Sequence, residues 1–359
     1  MCGIVGAFQP SRRGLTSDVD LIRMRDRMAH RGPDGSGIWR ASDETAVLGH
    51  RRLSIIDLSG QADQPMASSK GDVILVFNGE IYNHAEIRAE LESTGKYTFR
   101  TDHSDTEALL YAYLEWGKAC VERFYGMFAF AILDMRTTGR PMLHLCRDRV
   151  GVKPLYFSRL PSGEWLFSSE IKALLAHPKI MPVMNDTAFS HYLSFIVSPA
   201  PMTMFDGIFK LPAGHWATID HQSRGQAEPY WRAAPKPSSY FNTADLSFDE
   251  AVRELTSLMK TSISRRMVSD VPFGVLLSGG VDSSLNVALM SELMDRPVST
   301  FTIGYESHNE FNEFDHARSV AKRYGTNHHE AKIDSNEALE FLPLLVELQD
   351  EPIADNVCI

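Results

Sequence analysis

The sequence predicts two domains of different class, a layered α+β sandwich followed by an α/β domain with a parallel sheet. Up to residue 231, short β-rich runs are separated by occasional helical patterns. Residues 232–247 are rich in Pro and Ser and lack periodicity, as an interdomain linker does. From residue 248 to 359, strands and helices alternate at the spacing of βαβ units. A chain of 359 residues is long enough for two such cores.

Composition excludes several classes of partner. The net charge of −10 opposes binding to nucleic acid or to an anionic membrane surface. The sequence has no apolar run of the roughly 20 residues that a membrane span needs, and its N-terminus does not resemble a secretory signal. The four cysteines are scattered, without a CxxC pair, so we expect a reducing, cytoplasmic setting.

In the first domain, bounded hydrophobic runs predict strands and periodic ones predict helices. The helical patterns place Leu21, Met24 and Met28 on one face, and later a second face that includes Ala108 and Trp116. The predicted strands are CGIVGAF, AVLGHRRLSIIDL, DVILVFNGEI and GMFAFAILD.

The position of Cys2 suggests a nucleophile. Because Cys is small, we expect Met1 to be removed, which would leave a thiol and a free α-amine on the same residue. An α-amine has a reference pKa near 8, so it can accept the thiol proton. The alternative is that Cys2 is a small packed strand residue.

Three further motifs supply groups that such a nucleophile would need. In FNGEIYN, the Asn78 amide and the Gly79 N–H can donate to a developing oxyanion; the alternative is a β-turn. In HRRLSIID, Arg51 or Arg52 can clamp a carboxylate in bidentate fashion. In HSDTEAL, Asp105 stands at a helix start, where it could instead be a cap.

The second domain begins with an amphipathic helix predicted over residues 248–267. It continues with the strand FGVLL, a helix over Ser283–Met294, the strand VSTFTIGY, a helix over Glu313–Tyr324 and the strand HHEAKI. These elements supply about three strands, whereas sheets usually contain five or six. We therefore expect the natural protein to be longer than this chain.

The stretch VLLSGGVDSS (275–284) predicts a phosphate site. A buried strand runs into a tight turn at Ser278-Gly279-Gly280 and then into a helix, so backbone N–H groups and the helix N-terminus converge on one point. Asp282 suits phosphate only with a magnesium ion between them. No Lys follows the glycines, which excludes the GxxxxGK[ST] loop. The alternative is a Gly-containing turn in which Asp282 caps the helix.

The first-domain motifs together resemble the class II glutamine amidotransferases, which are N-terminal nucleophile hydrolases. The resemblance implies that Cys2 is the nucleophile and that Asn78 and Gly79 form the oxyanion hole. It also implies a glutamine site in which Arg52 holds the α-carboxylate, Glu80 and Asp105 hold the α-amine, and a strand over Leu53–Ile56 presents backbone to the substrate through Leu53, Ile55 and Ile56. HRGPDGSG and RDRVGVKPLY also match the family and receive no chemical role.

The serine-rich loop resembles that of the PP-loop ATP pyrophosphatases, which form acyl-adenylates. The resemblance implies an ATP site with magnesium at Asp282 and with contacts from Leu276, Ser278, Gly279, Gly280, Asp282, Ser283, Ser284 and Ile303.

Both halves in this order resemble the glutamine-hydrolysing asparagine synthetase family over essentially the whole chain. The matching motifs are MCGIVGAF, HRGPDG, HRRLSIIDL, FNGEIYN, SDTE, KLPAGH, LSGGVDSS and DEPIAD. The family implies ammonia release from glutamine, ATP-dependent adenylation of a carboxylate such as aspartate, and amidation with release of AMP and pyrophosphate; it also suggests a homodimer.

One departure from the family pattern leaves alternatives open. The family has a further SGxGxDE-type motif beyond DEPIAD, and this sequence contains no match to it. The acceptor can therefore be a different carboxylate, such as a sugar uronate. The chain can also be a glutaminase or docking subunit without its own synthetase activity, although the intact SGGVDSS argues against a purely docking role.

Overall fold

The computed structural model describes residues 1–11, 14–233, 246–305 and 312–352. The backbone divides into two compact units. The first contains Met1–Ala233 and the described residues from Val346 onward, and the second lies within residues 234–345. Most of the predicted linker, 234–245, lies outside the described residues. None of the described helices is long and apolar enough to cross a membrane.

Two six-stranded antiparallel sheets form the centre of the first unit. One sheet has the order β10-β8-β9-β1-β3-β2 and contains β1 (Gly3–Phe8), β2 (Gly35–Arg40), β3 (Ala46–Arg52), β8 (Tyr156–Arg159), β9 (Trp165–Ser168) and β10 (Ile208–Lys210). The other has the order β12-β11-β7-β6-β5-β4 and contains β4 (Met66–Ala67), β5 (Val73–Ile81), β6 (Gly126–Asp134), β7 (Met142–Arg147), β11 (His215–Ile219) and β12 (Gly225–Pro229).

Six α-helices within described residues 14–233 accompany these sheets: α1 (Asp18–Asp26), α2 (His84–Ser93), α3 (Asp105–Trp116), α4 (Cys120–Arg123), α5 (Ile171–Leu175) and α6 (Asp186–Phe195). One apolar cluster joins the facing sides of both sheets through residues such as Ile4 and Val76. A second joins β5 and β6 to α2 and α3, and a third joins β1 and β3 to α1 and α5. The unit is therefore layered helix–sheet–sheet–helix, which confirms the predicted α+β sandwich.

The second unit contains a three-stranded parallel sheet in the order β13-β14-β15, formed by β13 (Val275–Leu276), β14 (Ser299–Tyr305) and β15 (Asn327–Ile333). Its helices are α7 (Phe248–Arg266), α8 (Val281–Leu293) and α9 (Phe314–Tyr324), and α10 (Ser335–Gln349) begins there. Strand and helix alternate, and this confirms the predicted α/β parallel sheet.

One local prediction from the sequence is wrong, and one alternative is excluded. The run AVLGHRRLSIIDL is not one strand, because β3 ends at Arg52, where its pairing with β2 ends, and the chain reaches a positive φ of 54° at Asp57. Leu53–Ile56 is therefore irregular and not a strand. The β-turn alternative for Asn78-Gly79 also fails, because both residues lie inside β5 and pair with β6.

Candidate active site

Antiparallel pairing of β1 and β3 brings Cys2 next to the segment that follows β3. Gly3 pairs with Arg51, so the residue before β1 faces the residues after Arg51. The Cys2 Sγ lies 3.4 Å from the Leu53 amide nitrogen and 3.6 Å from the Leu53 carbonyl oxygen. Burial raises the pKa of the Cys2 thiol, whereas the Leu53 backbone and the N-terminal ammonium act to lower it. The thiol is thus held at one place and needs a base to ionise.

Asn78 and Gly79 lie on β5 of the other sheet. The Asn78 side chain is fully buried, and neither its Oδ1 nor its Nδ2 has a hydrogen-bond partner among the described residues. A buried amide without a partner is costly unless a ligand satisfies it. Gly79 packs so closely that a Cβ there would lie 2.3 Å from the Met127 carbonyl oxygen. Asn78 therefore offers the unused donor that an oxyanion needs.

The structure distinguishes the two adjacent arginines. Successive strand residues point to opposite faces, and Arg51 pairs with Asp26 at 2.8 Å. Arg52 is buried and donates to the carbonyl oxygens of Ser59 and Asp57 and to the Asp63 carboxylate.

These contacts leave Arg52 able to bind a substrate. A guanidinium has five N–H groups, and the described contacts of Arg52 engage three of them. Two remain, which is the number that a bidentate carboxylate requires.

Two carboxylates lie on the same pocket. Burial, opposed by the hydrogen bond from the Ile81 N–H and reinforced by the nearby Glu80, raises the pKa of Asp105 to about 7. Burial also raises the pKa of Glu80, and Lys153 acts to lower it. The helix cap of α3 is Ser104 and not Asp105, whose Oδ2 accepts from the Ile81 N–H at 3.0 Å. Paired buried carboxylates are suited to an ammonium group, which would favour their charged forms.

All of these groups surround one pocket. It is lined by every residue predicted for glutamine: Cys2, Arg52, Leu53, Ile55, Ile56, Asn78, Gly79, Glu80 and Asp105. Sequence reasoning did not assign a role to Gln64, Thr106 or Lys153, which also line it. Of these, Lys153 belongs to the motif RDRVGVKPLY and Thr106 to SDTE, so the matching motifs were a signal for both.

In the second unit, the loop after β13 has the predicted strand–turn–helix form. Gly279 adopts a φ of +82°, and a Cβ there would lie 2.5 Å from the His316 Cβ, so glycine is required. The Ser278 and Ser283 hydroxyls lie 2.9 Å apart, and the Gly280 N–H points at Ser278 Oγ at 3.3 Å. Ser284 has a buried hydroxyl without a partner among the described residues. The loop thus collects donors at a helix N-terminus.

Asp282 lies in the first turn of α8, whose N-cap is Gly280, so the capping alternative fails. Among the described residues, no three His, Cys, Asp or Glu side chains form a metal cluster. Mg²⁺ commonly binds one or two carboxylates together with substrate phosphates. Asp282 beside this loop fits that mode, in which phosphate supplies the other ligands.

The two predicted apolar nucleotide contacts share one face of the parallel sheet. Leu276 pairs with Phe301, and Ile303 lies two residues further along β14. Side chains two apart on a strand point the same way, and Leu276 and Ile303 are 72% and 54% exposed. They form an open apolar surface near the loop.

Comparison with known proteins first gives the class of each half. Residues 1–231 match the model of a glutamine amidotransferase domain, and residues 254–359 match the model of asparagine synthase.

Individual relatives identify the family. The chain is 33% identical, over 98% of its length, to asparagine synthetase [glutamine-hydrolyzing] 3 of Bacillus subtilis and 35% identical, over its full length, to asparagine synthetase [glutamine-hydrolyzing] 1 of the same organism. It is 32% identical, over 99% of its length, to a putative asparagine synthetase of Methanocaldococcus jannaschii. The chain belongs to the glutamine-hydrolysing asparagine synthetase family. It spans 57%, 54% and 69% of the lengths of these three relatives.

Proposed function

We propose that this chain is an enzyme that hydrolyses glutamine at Cys2 and supplies the ammonia to an ATP-dependent amide synthesis. The main support is the convergence of all nine predicted glutamine residues on one pocket. Each part of glutamine has a matching group there: Arg52 for the α-carboxylate, Glu80 and Asp105 for the α-ammonium, and Asn78 with the Gly79 N–H for the side-chain carbonyl oxygen.

The chemistry of hydrolysis follows from these positions. With Met1 removed, the Cys2 α-amine takes the thiol proton, and the sulfur attacks the side-chain carbonyl carbon of glutamine. The oxyanion accepts from Asn78 and Gly79, the C–N bond breaks, and the nitrogen leaves as ammonia after taking the proton. Water then attacks the thioester, which releases glutamate and returns the proton to Cys2.

The synthetic half uses the loop Ser278–Ser284 for ATP, with Leu276 and Ile303 against the base or ribose. Asp282 would hold a magnesium ion, which neutralises phosphate charge when bound. An acceptor carboxylate, aspartate by default, attacks the α-phosphorus and displaces pyrophosphate. Ammonia then attacks the adenylate to give the amide, asparagine, and AMP. The names of the relatives and the form of the loop support this proposal.

The scattered free thiols Cys2, Cys120 and Cys146 favour a reducing compartment. We therefore propose a cytoplasmic enzyme, and on the family resemblance alone a homodimer. The acceptor can also be a carboxylate other than aspartate.

One reaction tests the proposal. The chain is incubated with amide-¹⁵N glutamine, ATP, magnesium and aspartate, and glutamate, ¹⁵N-asparagine and AMP are measured together by mass spectrometry. All three products support the full proposal. Glutamate alone supports a glutaminase whose synthesis needs another acceptor or more of the protein, and the absence of glutamate contradicts the role of Cys2.

A matched pair of cysteine variants assigns the nucleophile. Cys2→Ala is expected to abolish glutamate formation, whereas Cys120→Ala, in the core away from the pocket, is expected to retain it. Intact mass of the wild-type protein checks that the N-terminal methionine has been removed. Glutamate formation by the Cys2 variant would exclude it as nucleophile.

A further inference from the structure

A chain of buried charged side chains ends on the main chain of Cys2. Arg31, from the motif HRGPDG, donates from Nε to the Cys2 carbonyl oxygen at 2.9 Å and from Nη1 to Glu170 Oε1 at 2.8 Å. Lys172 Nζ lies 2.6 Å from Glu170 Oε2 and 3.1 Å from Asp350 Oδ1. The four side chains are each at most 8% exposed. A residue near the end of the described chain is thus linked to the second residue.

The formal charges of these four side chains balance, and His30 Nε2 also lies 3.1 Å from Glu170 Oε1. Arg31 and Lys172 supply two positive charges, and Glu170 and Asp350 supply two negative ones. Although burial alone would raise the pKa of Glu170, hydrogen bonds and charges from Lys172 and Arg31 hold it below the ordinary value. A buried ion pair is costly to break because the remaining partner is left uncompensated. Each member is therefore held in place by its neighbours.

Asp350, the last member of this chain of charged side chains, also caps the start of α5. Its carboxylate accepts from the backbone N–H groups of Ile171 at 2.7 Å and Lys172 at 3.2 Å. These are first-turn donors of α5, which have no partner inside the helix. Asp350 thereby fixes both the start of α5 and the Lys172 ammonium.

Cys2 needs such support because of its position. Residues at a chain terminus are poorly ordered unless they are tied down, and Cys2 lies outside β1, which begins at Gly3. A displacement of about 1 Å at a reacting group can cost up to about 10²-fold in rate. The Arg31 contact to the Cys2 carbonyl oxygen restrains the residue that carries the nucleophile.

We propose that Arg31, Glu170 and Lys172 are positioning residues for Cys2, and that Asp350 completes this chain, so that glutamine hydrolysis depends on the contacts of the Asp350 carboxylate with Lys172 and the start of α5. This inference rests on the proposed role of Cys2 as nucleophile. The proposal gives a role to Arg31 in HRGPDG and to Asp350, the first residue of DEPIAD. Neither residue lines the pocket.

Glu351 provides a matched control on the same segment. Its carboxylate accepts from the Met204 N–H at 2.8 Å and pairs with Lys210 at 2.8 Å, so it also anchors the segment to the first unit. None of its described contacts involves Arg31, Glu170 or Lys172. Asp350→Asn and Glu351→Gln therefore remove equal charges from neighbouring anchors, and one of them breaks the chain to Cys2.

The test compares the full chain with the variants Asp350→Asn, Lys172→Met, Lys172→Arg and Glu351→Gln. We expect the first two to lower kcat for glutamine hydrolysis by about 10-fold or more, with KM within about 2-fold because the substrate contacts are intact. We expect Lys172→Arg to retain most of the wild-type kcat because it keeps the positive charge. Glu351→Gln is expected to retain the wild-type kcat. Equal losses in Asp350→Asn and Glu351→Gln, or no loss in Asp350→Asn, would overturn the proposal.

Site-resolved alkylation with iodoacetamide gives a second readout that needs no glutamine. In Asp350→Asn and Lys172→Met, Cys2 is expected to react several-fold faster, because the Arg31 contact no longer restrains its main chain. The buried Cys120 and Cys146 are expected to remain protected. Faster reaction of all three thiols would indicate general loosening and contradict the proposal. If the wild-type chain does not hydrolyse glutamine, the proposed function fails, and the alkylation pattern still decides this inference.

Discussion

The pocket beside Cys2 and the serine-rich loop differ in how far the described residues enclose them. Asn78 and Asp105 are 0% and 5% exposed between packed layers, whereas Leu276 beside the loop is 72% exposed. The first unit has three apolar clusters of buried residues, whereas the apolar cluster among the described residues of the second unit has four. In the pocket, burial raises the pKa values of Asp105 and Glu80, and the buried Asn78 amide has no hydrogen-bond partner among the described residues. The second site relies on local backbone geometry, so the same kind of substitution has different consequences in the two regions.

Truncation of a large apolar side chain gives the largest expected difference. Phe130 is fully buried and packs edge-on against Trp216 with ring centroids 5.6 Å apart. Phe130→Ala is expected to lower the free energy of unfolding by about 3–5 kcal/mol. Leu255→Ala on α7, where Leu255 is 59% exposed, is expected to change it by less than about 0.5 kcal/mol. Urea titration of both variants measures the difference, and similar losses would contradict the contrast.

Glycine substitution compares the two sites directly. Gly79→Ala would place a Cβ 2.3 Å from the Met127 carbonyl oxygen and 2.7 Å from the Phe128 Cα, and should destabilise by about 1–3 kcal/mol. In Gly280→Ala, the nearest atom is the Ser278 Oγ at 3.3 Å, which can rotate away, so we expect a change below about 0.5 kcal/mol. Thermal unfolding of both variants tests this. A larger loss in Gly280→Ala would show that the loop is the tighter site.

The pH dependence of Asp105 separates stability from binding. Its carboxyl titrates near 3.8 when unfolded and at about 7 when folded, so the folded state holds the extra proton between these values and stability falls as pH rises. Asp105→Asn keeps an acceptor for the Ile81 N–H and removes this penalty. We expect the variant to be more stable than wild type by at least about 1 kcal/mol at pH 8 and similar at pH 3.

The same variant should lose affinity for glutamine, because a neutral amide holds the α-ammonium less well. In the wild type, KM should fall as pH rises through about 7, where Asp105 ionises. KM measured between pH 6 and 8 checks this, with Asp63→Asn on the Arg52 side as a comparison that should keep the pH dependence. A flat wild-type profile would exclude Asp105 as a contact of the α-ammonium.

A small effect on stability is also expected at Asp282. It is an exposed first-turn acid of α8, and its interaction with the helix dipole is worth about 0.3–1 kcal/mol. Asp282→Asn should therefore fold normally and hydrolyse glutamine, but lose pyrophosphate release in a synthesis-competent protein. Asp295→Asn, just after the same helix, should retain it. Unchanged pyrophosphate release in the Asp282 variant would contradict the magnesium role.

Some elements of the fold and the site can be predicted from the sequence, and others cannot. The helix starting at Asp105 and the turn at Gly279 were predictable because local backbone preferences and neighbouring residues determine them. The end of β3 at Arg52 was not, because it depends on where pairing with β2 stops. The choice between Arg51 and Arg52 was also open in the residue pattern, and a contact with Asp26 on α1 distinguishes them.

The sequence by itself determined the two domain classes and the strand–turn–helix at 275–284, since these depend on hydrophobic periodicity and short-range geometry. Only the tertiary structure decided which groups meet: Asn78 near Cys2, Lys153 near Glu80, and Asp350 on Lys172. Such meetings depend on strand register and on burial, which lowers the dielectric around charges and shifts their pKa values. The order of residues in a sequence gives neither the distances between side chains nor their burial.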